Sequence, residues 1–421
     1  MKASISKSQI KGKVIAPSSK SYTIRGLMCA ALAKGESEII HPLTSDDTEA
    51  ALNVLSQIGV DIHQGRDSWR VKGGNFHQPA TDLFCGESAA TLRFMTAIGS
   101  LVPGKCRLVS GHSLARRPIR PLIQALRQLG VNGSCQGEVA PVVVDGGRLK
   151  GGVAELPGNI SSQFVSALLF ISPFADEGVK IRLTTPLESK PFVLMTLDCL
   201  ERFGIKVDYS KDLTEFEVSK QEYKPTRYQV EGDWSSASYF LALGALSGEV
   251  EVENLNPESW QGDKIILNFL KDMGALVKTG KNSVAVRKSR LNAIRADLSD
   301  CIDLLPTMAV LAASADGVSQ LVGIERGRIK ESNRVSAVRE GLQKMGIKAQ
   351  EERNRLIVAG STPKGSTIDS RGDHRIAMAF SILGSVAGKT VINDAECVSK
   401  TFPQFWEVLK SIGGEVKIDG K

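Results

Sequence analysis

One arrangement of apolar and polar positions recurs along the chain: an amphipathic helix, then a glycine, then a short strand. It is clear at 51–60 and 122–131, where Gly59 and Gly130 follow the last apolar position of the helical pattern. A glycine there favours a left-handed helix C-cap. The pattern returns around four later glycines: Gly204, Gly274, Gly346 and Gly413. Successive glycines lie roughly 70 residues apart, a period too long for a solenoid of short repeats. The 421 residues are therefore predicted to form six α/β modules.

Each module also contains a second helix, and these helices are apolar on most faces. They are predicted at 24–33, 90–100, 164–171, 236–246, 304–313 and 376–386. Helices that are apolar all round belong inside a domain rather than on its surface. The predicted architecture therefore buries these helices and places the strands outside them.

A domain boundary is predicted between the third and fourth modules, near Pro225-Thr226-Arg227. A chain of this length is expected to build more than one core. The N-terminal domain is predicted at 13–229 and the C-terminal domain at 1–12 plus 230–421. The first strand, predicted at Ser4–Ile10, is expected to pair with the C-terminal domain, so the chain would cross between the domains twice.

Composition points to an ordinary soluble protein, with 42% hydrophobic and 24% charged residues. No run of about 18 apolar residues is present, which is the length of a membrane-spanning helix. The first 13 residues lack the apolar segment of a secretory signal, and the seven cysteines form no Cys-x-x-Cys pair. We therefore expect a cytoplasmic protein with no membrane association. The five histidines are not paired in the sequence, so no metal site is expected.

The charge balance narrows the class of ligand. The net charge is +7, but Lys and Arg are spread along the chain and aromatic residues make up only 5%. A nucleic-acid-binding surface usually clusters its cations with interleaved aromatics. A site for small, multiply charged anions fits this composition better.

The starts of the buried helices hold candidate chemistry. Five of them read Ser18-Ser19-Lys20-Ser21, Cys85-Gly86-Glu87-Ser88, Gly158-Asn159-Ile160-Ser161-Ser162-Gln163, Gly232-Asp233-Trp234-Ser235-Ser236 and Arg371-Gly372-Asp373-His374-Arg375. Ser and Asp are common N-caps, so capping alone remains open for Ser161, Ser162 and Asp233. Free N–H groups at helix starts also bind phosphate and carboxylate. Repeated modules would aim these ends at a shared face, and two domains would then form a cleft that attracts anions.

A basic stretch from Glu325 to Arg334 carries four cations around the carboxylate Glu331. If Ser332 caps a helix, Arg334 lies in its first turn, where the helix dipole disfavours a cation unless an anion binds. The alternative is a solvated basic turn. Three other charged positions each have a structural alternative to a functional role. Asp303 is either an N-cap or a general base. For Arg117 the alternative is a solvated pair with Arg116, and for Lys400 it is a stem packed on the surface. The chain has no phosphate-binding P-loop, no dinucleotide fingerprint and no nucleophile elbow.

These residues together resemble the 5-enolpyruvylshikimate-3-phosphate synthase family of enolpyruvyl transferases. The matching stretches run in the family's order from Pro17-Ser18-Ser19-Lys20-Ser21 and Arg25 to Lys400-Thr401-Phe402-Pro403. Between them lie 85–93, 117–119, 161–164, 231–233, 235–239, Asp303, Lys330-Glu331, Arg334 and 373–375. The resemblance implies a two-domain inside-out α/β barrel of six βαβαββ modules. It also implies transfer of the enolpyruvyl group of phosphoenolpyruvate to the 5-hydroxyl of shikimate 3-phosphate, in aromatic amino-acid biosynthesis. It implies no cofactor, and a monomer.

The resemblance also assigns residues to the two substrates. The residues expected to bind shikimate 3-phosphate are Lys20, Ser21, Arg25, Ser161, Ser162, Gln163, Ser189, Asp303, Arg326 and Lys330. The residues expected to bind phosphoenolpyruvate are Lys20, Ala89, Arg117, Gln163, Arg334, Arg375 and Lys400. Arg suits this task because its planar fork pairs bidentately with carboxylate and phosphate.

Three residues are expected to be catalytic. Asp303 resembles the base that takes the 5-hydroxyl proton, and Glu331, with Lys20 nearby, resembles the donor to the methylene carbon of phosphoenolpyruvate. Addition to an enol phosphate needs one acid and one base at neighbouring atoms. Glu331 lies among cations, which favour its ionised form, so bound anions or desolvation must favour the protonated form before it can act as an acid.

Some positions depart from the pattern common in the family. The stretch 86–93 reads Gly-Glu-Ser-Ala-Ala-Thr-Leu-Arg. Here Glu87 replaces an amide and Ala89 replaces a glycine that faces phosphoenolpyruvate. The added methyl predicts weaker inhibition by glyphosate, which is a bulkier occupant of that site. Arg326 and Phe192 stand where Asn and Tyr are common, which affects contacts to shikimate 3-phosphate rather than the reaction.

Two alternative functions are disfavoured. The related enzymes that transfer enolpyruvate to UDP-N-acetylglucosamine carry a reactive Cys in a mobile loop, but the loop at 110–117 here has none. A non-enzymatic protein that binds anions or nucleic acid is disfavoured for a different reason. Such a binder gains nothing from placing Asp303 and Glu331 among its cations.

Overall fold

The computed structural model describes residues 1–420 and divides into two compact units. The first unit comprises residues 1–17 and the chain from Gly232 onward, and the second comprises Ser18–Glu231. The boundaries predicted after residues 12 and 229 lie a few positions away from these divisions. Each unit has its own apolar core.

The helices alternate between fully buried and amphipathic, as the sequence pattern predicted. Residues 1–420 contain α1 (Lys20–Leu32), α2 (Asp46–Gln57), α3 (Ala89–Ile98), α4 (Arg120–Gln128), α5 (Ser162–Ile171), α6 (Lys190–Arg202), α7 (Trp234–Ser247), α8 (Ile266–Asp272), α9 (Leu305–Ala313), α10 (Arg334–Lys344), α11 (His374–Ala387) and α12 (Phe405–Ser411). The odd-numbered helices are buried along almost their whole length, and they pack on one another within each unit.

The strands are short and form six separate sheets. They are β1 (Lys2–Ile5), β2 (Ile10–Ile15), β3 (Gly35–Ile40), β4 (Asp61–Gln64), β5 (Ser68–Gly73), β6 (Leu83–Phe84), β7 (Gly104–Val109), β8 (Asn132–Gln136), β9 (Val139–Gly146), β10 (Gly152–Leu156), β11 (Val179–Leu183), β12 (Asp208–Tyr209), β13 (Glu215–Val218), β14 (Arg227–Gln229), β15 (Gly248–Glu253), β16 (Leu276–Thr279), β17 (Ser283–Arg287), β18 (Arg295–Asp297), β19 (Val318–Val322), β20 (Lys348–Glu351), β21 (Arg355–Ala359), β22 (Thr367–Asp369), β23 (Thr390–Asn393) and β24 (Val416–Asp419).

Each sheet has four strands in the same order of pairing. In the module of β10 to β13, β10 pairs in parallel with β11, β11 pairs antiparallel with β13, and β13 pairs antiparallel with β12. A buried helix joins the parallel strands, because a parallel pair needs a long crossover. An amphipathic helix then leads to the hairpin. The other sheets follow this order, so the prediction of six βαβαββ modules is confirmed.

The N-terminal strands complete two sheets of the first unit. The strand predicted at Ser4–Ile10 is in fact divided: β1 ends at Ile5 and β2 begins at Ile10. β1 pairs with β23 and β24, and β2 pairs in parallel with β15 through Ile15. In exchange, β14 pairs in parallel with β3 and completes the first sheet of the second unit. The chain therefore leaves the first unit after Pro17 and returns at Gly232.

The six repeated glycines end the amphipathic helices as predicted. They are Gly59, Gly130, Gly204, Gly274, Gly346 and Gly413, with φ from +80° to +103°. A side chain at such a position costs roughly 1–2 kcal/mol because Cβ approaches a backbone oxygen. No helix within residues 1–420 is both long and apolar enough to cross a membrane.

Candidate active site

The side chain of Arg334 lies at the centre of a charged cluster in the first unit. It is only 1% exposed, and Arg334 is the first residue of α10. Nη1 donates to Asp303 Oδ1 (2.7 Å), Nε donates to Asp373 Oδ2 (2.8 Å), and Nη2 contacts the Glu331 carboxylate. Burial acts to lower the pKa of Arg334, but the three carboxylates outweigh it and raise the pKa. Arg334 is therefore a fixed cation, and the unfavourable helix dipole is offset by its partners.

The capping predicted around this helix start was wrong in detail. Asn333, not Ser332, is the N-cap of α10, and its side chain accepts a hydrogen bond from the Ser336 N–H at 3.2 Å. Ser332 Oγ instead donates to Asp373 Oδ2 at 3.0 Å. Arg334 still falls in the first turn, as predicted. The solvated basic turn is excluded for Arg334 by its burial.

Asp303 is surrounded by three cations. It lies in a 3-10 turn at 302–304, just before α9, and its side chain makes no capping bond. Besides Arg334, it contacts Arg375 Nη2 (3.1 Å) and Lys330 Nζ (3.4 Å). Burial opposes its ionisation, but these cations outweigh burial and hold the pKa of Asp303 well below its usual range. The N-cap interpretation of Asp303 was therefore wrong, because the carboxylate serves ion pairs instead.

The remaining predicted residues of the first unit lie beside Asp303 and Glu331. Lys400 is 7% exposed and lies 3.6 Å from the Glu331 carboxylate, so its stem is not on the surface. Burial lowers the pKa of Lys330 to about 8, although Asp303 opposes the shift. Arg326 donates to the backbone oxygen of Ser299 at 2.6 Å and contributes to the low pKa of Lys330. We call Asp303, Lys330, Glu331, Arg334, Asp373, Arg375 and Lys400 the Arg334 cluster.

Two carboxylates were not assigned a role from the sequence: Asp373, which belongs to the Arg334 cluster, and Asp263, which lies near it. Asp373 is fully buried and caps α11, where it accepts from the Arg375 N–H at 3.0 Å while also binding Arg334. Its position at a predicted helix start was a usable signal. Asp263 is buried beside Ser235, and burial together with the charge of Asp303 raises its pKa to about 7. No motif in the sequence marks Asp263.

Lys20 is the first residue of α1 in the second unit. The helix is capped by Ser19, and Lys20 Nζ donates to Asp47 Oδ2 at 2.8 Å. Asp47 is buried in the first turn of α2. A buried carboxylate thus fixes the ammonium group at a helix start, where an anion is also favoured.

Arg25 lies one turn further along α1 and is almost completely buried. Nε donates to Thr196 Oγ1 (2.9 Å), and the other nitrogens donate to the backbone oxygens of Ser21 and Phe192 (each 3.0 Å). The guanidinium also lies over the rings of Phe94 and Phe192. Its position is therefore rigid, and the Ser21 backbone takes part in holding it.

Arg93, to which the sequence analysis assigned no role, binds several residues of the second unit. Its Nη1 donates to Ser161 Oγ (3.0 Å) and to Gln163 Oε1 (2.7 Å), and its Nη2 donates to the backbone oxygen of Pro118 (3.2 Å). Ser161 caps α5 by accepting from the Gln163 N–H at 3.3 Å, and Ser162 begins that helix. Capping and contact with Arg93 therefore coexist at Ser161.

In the first unit, Asp233 likewise caps α7, accepting from the Ser236 N–H at 2.7 Å.

The other predicted residues of the second unit are also buried near helix starts. Ser189 adopts a left-handed conformation (φ 54°) immediately before α6. Ala89 is the first residue of α3 and is 8% exposed. Arg117 is buried, whereas its neighbour Arg116 is exposed. The interpretation of a solvated arginine pair is therefore wrong for Arg117 and correct for Arg116.

No group of three His, Cys, Asp or Glu side chains placed to hold a metal ion was found among residues 1–420. Both units instead present cations and helix starts, which suit anionic organic molecules.

Comparison with known proteins gives one consistent result. The family model described as EPSP synthase (3-phosphoshikimate 1-carboxyvinyltransferase) matches residues 5–409. Proteins named 3-phosphoshikimate 1-carboxyvinyltransferase from two strains of Dehalococcoides mccartyi are 53% identical over 418 residues and 52% identical over 421 residues, covering at least 99% of each chain. A solved EPSP synthase from Acinetobacter baumannii has a TM-score of 0.84 at 26% identity, covering 99% of this chain and 100% of that one. This match confirms the predicted two-domain α/β fold. The chain is therefore a member of the EPSP synthase family.

Proposed function

We propose that this protein transfers the enolpyruvyl group of phosphoenolpyruvate to the 5-hydroxyl of shikimate 3-phosphate and releases phosphate, and that the Arg334 cluster carries out the proton transfers. The observation that carries the proposal is the placement of two carboxylates on one buried guanidinium. Asp303 binds Nη1 of Arg334, and Glu331 binds Nη2. An acid and a base are thereby held at a fixed separation beside cations that bind anions.

The addition step needs two proton transfers. Asp303 accepts the proton of the 5-hydroxyl as that oxygen attacks C2 of phosphoenolpyruvate, and Glu331 protonates C3. The product of this step is a tetrahedral adduct that still carries the phosphate group. In the elimination step Glu331, ionised by the addition step, takes a proton back from C3. The C2–O bond to phosphate breaks as the double bond forms again, and phosphate leaves with the electron pair of that bond and takes the proton held by Asp303. Lys20, held by Asp47, supplies a further cation to the reacting groups.

The cations of the Arg334 cluster explain how Asp303 can act as a base. Its pKa is held low by Arg375, Lys330 and Arg334, despite burial. A bound phosphate and carboxylate would compete for these same cations. Their negative charge then raises the proton affinity of Asp303 when the substrate is in place. Basicity is therefore coupled to substrate binding.

The phosphoenolpyruvate anion is assigned to three buried arginines and one buried lysine. Arg334, Arg375, Lys400 and Arg117 bind its carboxylate and phosphate, with Gln163 and Ala89 adjoining. All four cations are at most 7% exposed. Electrostatic interactions in such buried surroundings are stronger than in water.

Shikimate 3-phosphate is assigned to hydroxyl groups and cations. The set comprises Lys20, Ser21, Arg25, Ser161, Ser162, Gln163, Ser189, Asp303, Arg326 and Lys330. Arg25 is fixed by Thr196 and two backbone oxygens, which supports a role in orienting a carboxylate. The start of α5 contributes N–H groups beside Ser161 and Ser162 that favour a phosphate.

We further propose that the protein acts in the cytoplasm as a monomer, that its partners are only these small anionic substrates, and that it needs neither metal nor organic cofactor.

The proposed reaction is tested by measuring phosphate release from phosphoenolpyruvate with each of two acceptors, shikimate 3-phosphate and UDP-N-acetylglucosamine. Release is expected only with shikimate 3-phosphate. Release only with the UDP-sugar would support the related transferase instead. Release with neither would favour a binding protein without activity.

A further inference from the structure

Glu87 lies between Gly86 and the N-cap of α3, and its carboxylate holds a separate loop. Oε1 accepts from the Ser113 N–H (3.2 Å), and Oε2 accepts from Ser113 Oγ (2.5 Å) and the Leu114 N–H (2.9 Å). Hydrogen bonds to an ionised carboxylate are stronger than those between neutral groups. Three of them converge here on one side chain.

The loop has no cap of its own at this point. Ser113 precedes a 3-10 turn at Leu114–Arg116, and the side chain of Ser113 makes no capping bond. Glu87 takes that place from a different part of the chain, because it accepts from the first N–H groups of the turn. The turn closes with the Arg117 N–H donating to the Leu114 backbone oxygen at 3.0 Å. The hydrogen bonds of Glu87 therefore connect through one turn to Arg117.

The opposite side of Arg117 is fixed as well. Arg93 donates to the backbone oxygen of Pro118 at 3.2 Å, so the residue after Arg117 is tied to α3. Glu87 precedes α3 and Arg93 lies within it, and Arg117 lies between the two residues that they hold, Leu114 and Pro118. Arg117 is 7% exposed.

Gly111 gives independent evidence that the loop is fitted to this carboxylate. A Cβ at Gly111 would lie 2.3 Å from Glu87 Oε1, closer than any ordinary contact. The backbone of Gly111 is also paired, since its N–H donates to the Gly86 oxygen at 2.8 Å. A side chain at this position would displace the Glu87 carboxylate, whereas glycine leaves it in place.

We infer that Glu87 is a positioning residue, whose carboxylate fastens the loop at 110–117 and thereby fixes Arg117 for phosphoenolpyruvate. The inference rests on the proposed role of Arg117. It assigns Glu87 no contact with substrate and no proton transfer. Its loss is expected to weaken the binding of phosphoenolpyruvate while leaving shikimate 3-phosphate little affected.

The first test measures the loop directly by amide hydrogen exchange in the full chain. Glu87→Ala should speed exchange in the segment 110–117, and Glu87→Gln should do so less, because Gln retains one acceptor oxygen. Glu155→Gln is the matched control, since Glu155 is an exposed residue on β10. Unchanged exchange in the segment for Glu87→Ala would overturn the inference, whatever the kinetics show.

The second test separates the two substrates by steady-state kinetics. Glu87→Ala should raise the KM for phosphoenolpyruvate roughly tenfold, the effect of losing about one strong hydrogen bond, with less than about a twofold change for shikimate 3-phosphate. Gly111→Ala should act in the same direction, and Gly133→Ala should not, because a Cβ at Gly133 meets nothing closer than 3.6 Å. Equal changes for both substrates would indicate a merely structural role and overturn the inference.

Arg117→Lys distinguishes the two proposals. If this variant leaves the KM for phosphoenolpyruvate unchanged, the proposed role of Arg117 fails, and with it the kinetic part of the inference. If Arg117→Lys raises that KM and both Glu87→Ala and Gly111→Ala do not, the proposed function stands and the inference about Glu87 is wrong.

Discussion

The buried carboxylate Asp373 allows the ion pair at Arg334 to be measured separately from helix capping. Its side chain is 0% exposed and accepts four hydrogen bonds. Oδ2 accepts from Ser332 Oγ and Arg334 Nε, and Oδ1 accepts from the Arg375 N–H and Arg334 Nη2. Asp373→Asn keeps the size and the capping ability of the residue but replaces one oxygen with an NH₂ group.

The magnitude follows from these four bonds. When the amide oxygen stays at the helix cap, the NH₂ group takes the place of Oδ2 and faces Ser332 Oγ and Arg334 Nε. The Ser332 hydroxyl can turn to accept from it, but the hydrogen bond from Arg334 Nε is lost. Each bond to a charged group is worth about 1.5–3 kcal/mol, and breaking a buried ion pair costs about 3–5 kcal/mol. We therefore expect the free energy of unfolding of the first unit to fall by about 3–5 kcal/mol.

The matched control is Asp233→Asn at the start of α7. Asp233 caps its helix through the Ser236 N–H at 2.7 Å, and an Asn can keep that bond. We expect its cost to remain below about 1 kcal/mol, since Asn and Asp cap helices equally well.

Urea unfolding followed by tryptophan fluorescence suits the comparison. Trp234, Trp260 and Trp406 lie in the first unit and only Trp69 lies in the second, so the signal mainly reports the unit that carries the substitution. If Asp373→Asn and Asp233→Asn differ by less than about 1 kcal/mol, the reasoning fails, because the ion pair would then add nothing beyond the cap.

Three further predictions concern the reaction. Glu331→Gln should lower kcat at least about 100-fold, which is the contribution of a general acid. The control Glu325→Gln removes an exposed partner of Arg353 in the same segment and should leave kcat unchanged. Unchanged phosphate release by the Glu331→Gln variant would exclude Glu331 as the proton donor. The kcat/KM for shikimate 3-phosphate should fall above pH 8, because burial lowers the pKa of Lys330 to about 8 and the neutral amine no longer attracts the phosphate. Lys330→Arg should remove this fall. If the fall persists in the Lys330→Arg variant, the titration belongs to another group. Ala89→Gly should lower the inhibition constant for glyphosate roughly tenfold, since one methyl group in a tight pocket carries that order of selectivity; an unmoved inhibition curve would show that Ala89 does not restrict the pocket.

Local periodicity predicted most of the secondary structure because it rests on short-range physics. The six glycines that end the amphipathic helices and the six apolar helices follow from burial and from backbone conformation, both readable within about ten residues. The division of the first strand was missed, because 4–10 is continuous in pattern while β1 and β2 belong to different sheets. Strand pairing joins residues far apart in the chain, so no local pattern reports it.

For the candidate site as well, the sequence predicted local features but not contacts between distant residues. The cations at 326–334 and the caps at Ser161 and Asp233 were visible as residues near helix starts. The partners were not visible. Whether Asp303 capped a helix or formed ion pairs depended on where Arg334 and Arg375 lie, and each comes from a different helix start.

The sequence by itself therefore determined the repeated module, the buried helices, and the residue types gathered at their starts, because each depends on the local order of apolar, polar and glycine residues. Only the tertiary structure decided which charges pair. Asp303, Glu331 and Asp373 are separated by tens of residues or lie on different elements, yet all three bind one guanidinium. Their pairing is decided by packing of α9, α10 and α11, and the energy of a buried charge depends on its partners within a few ångströms.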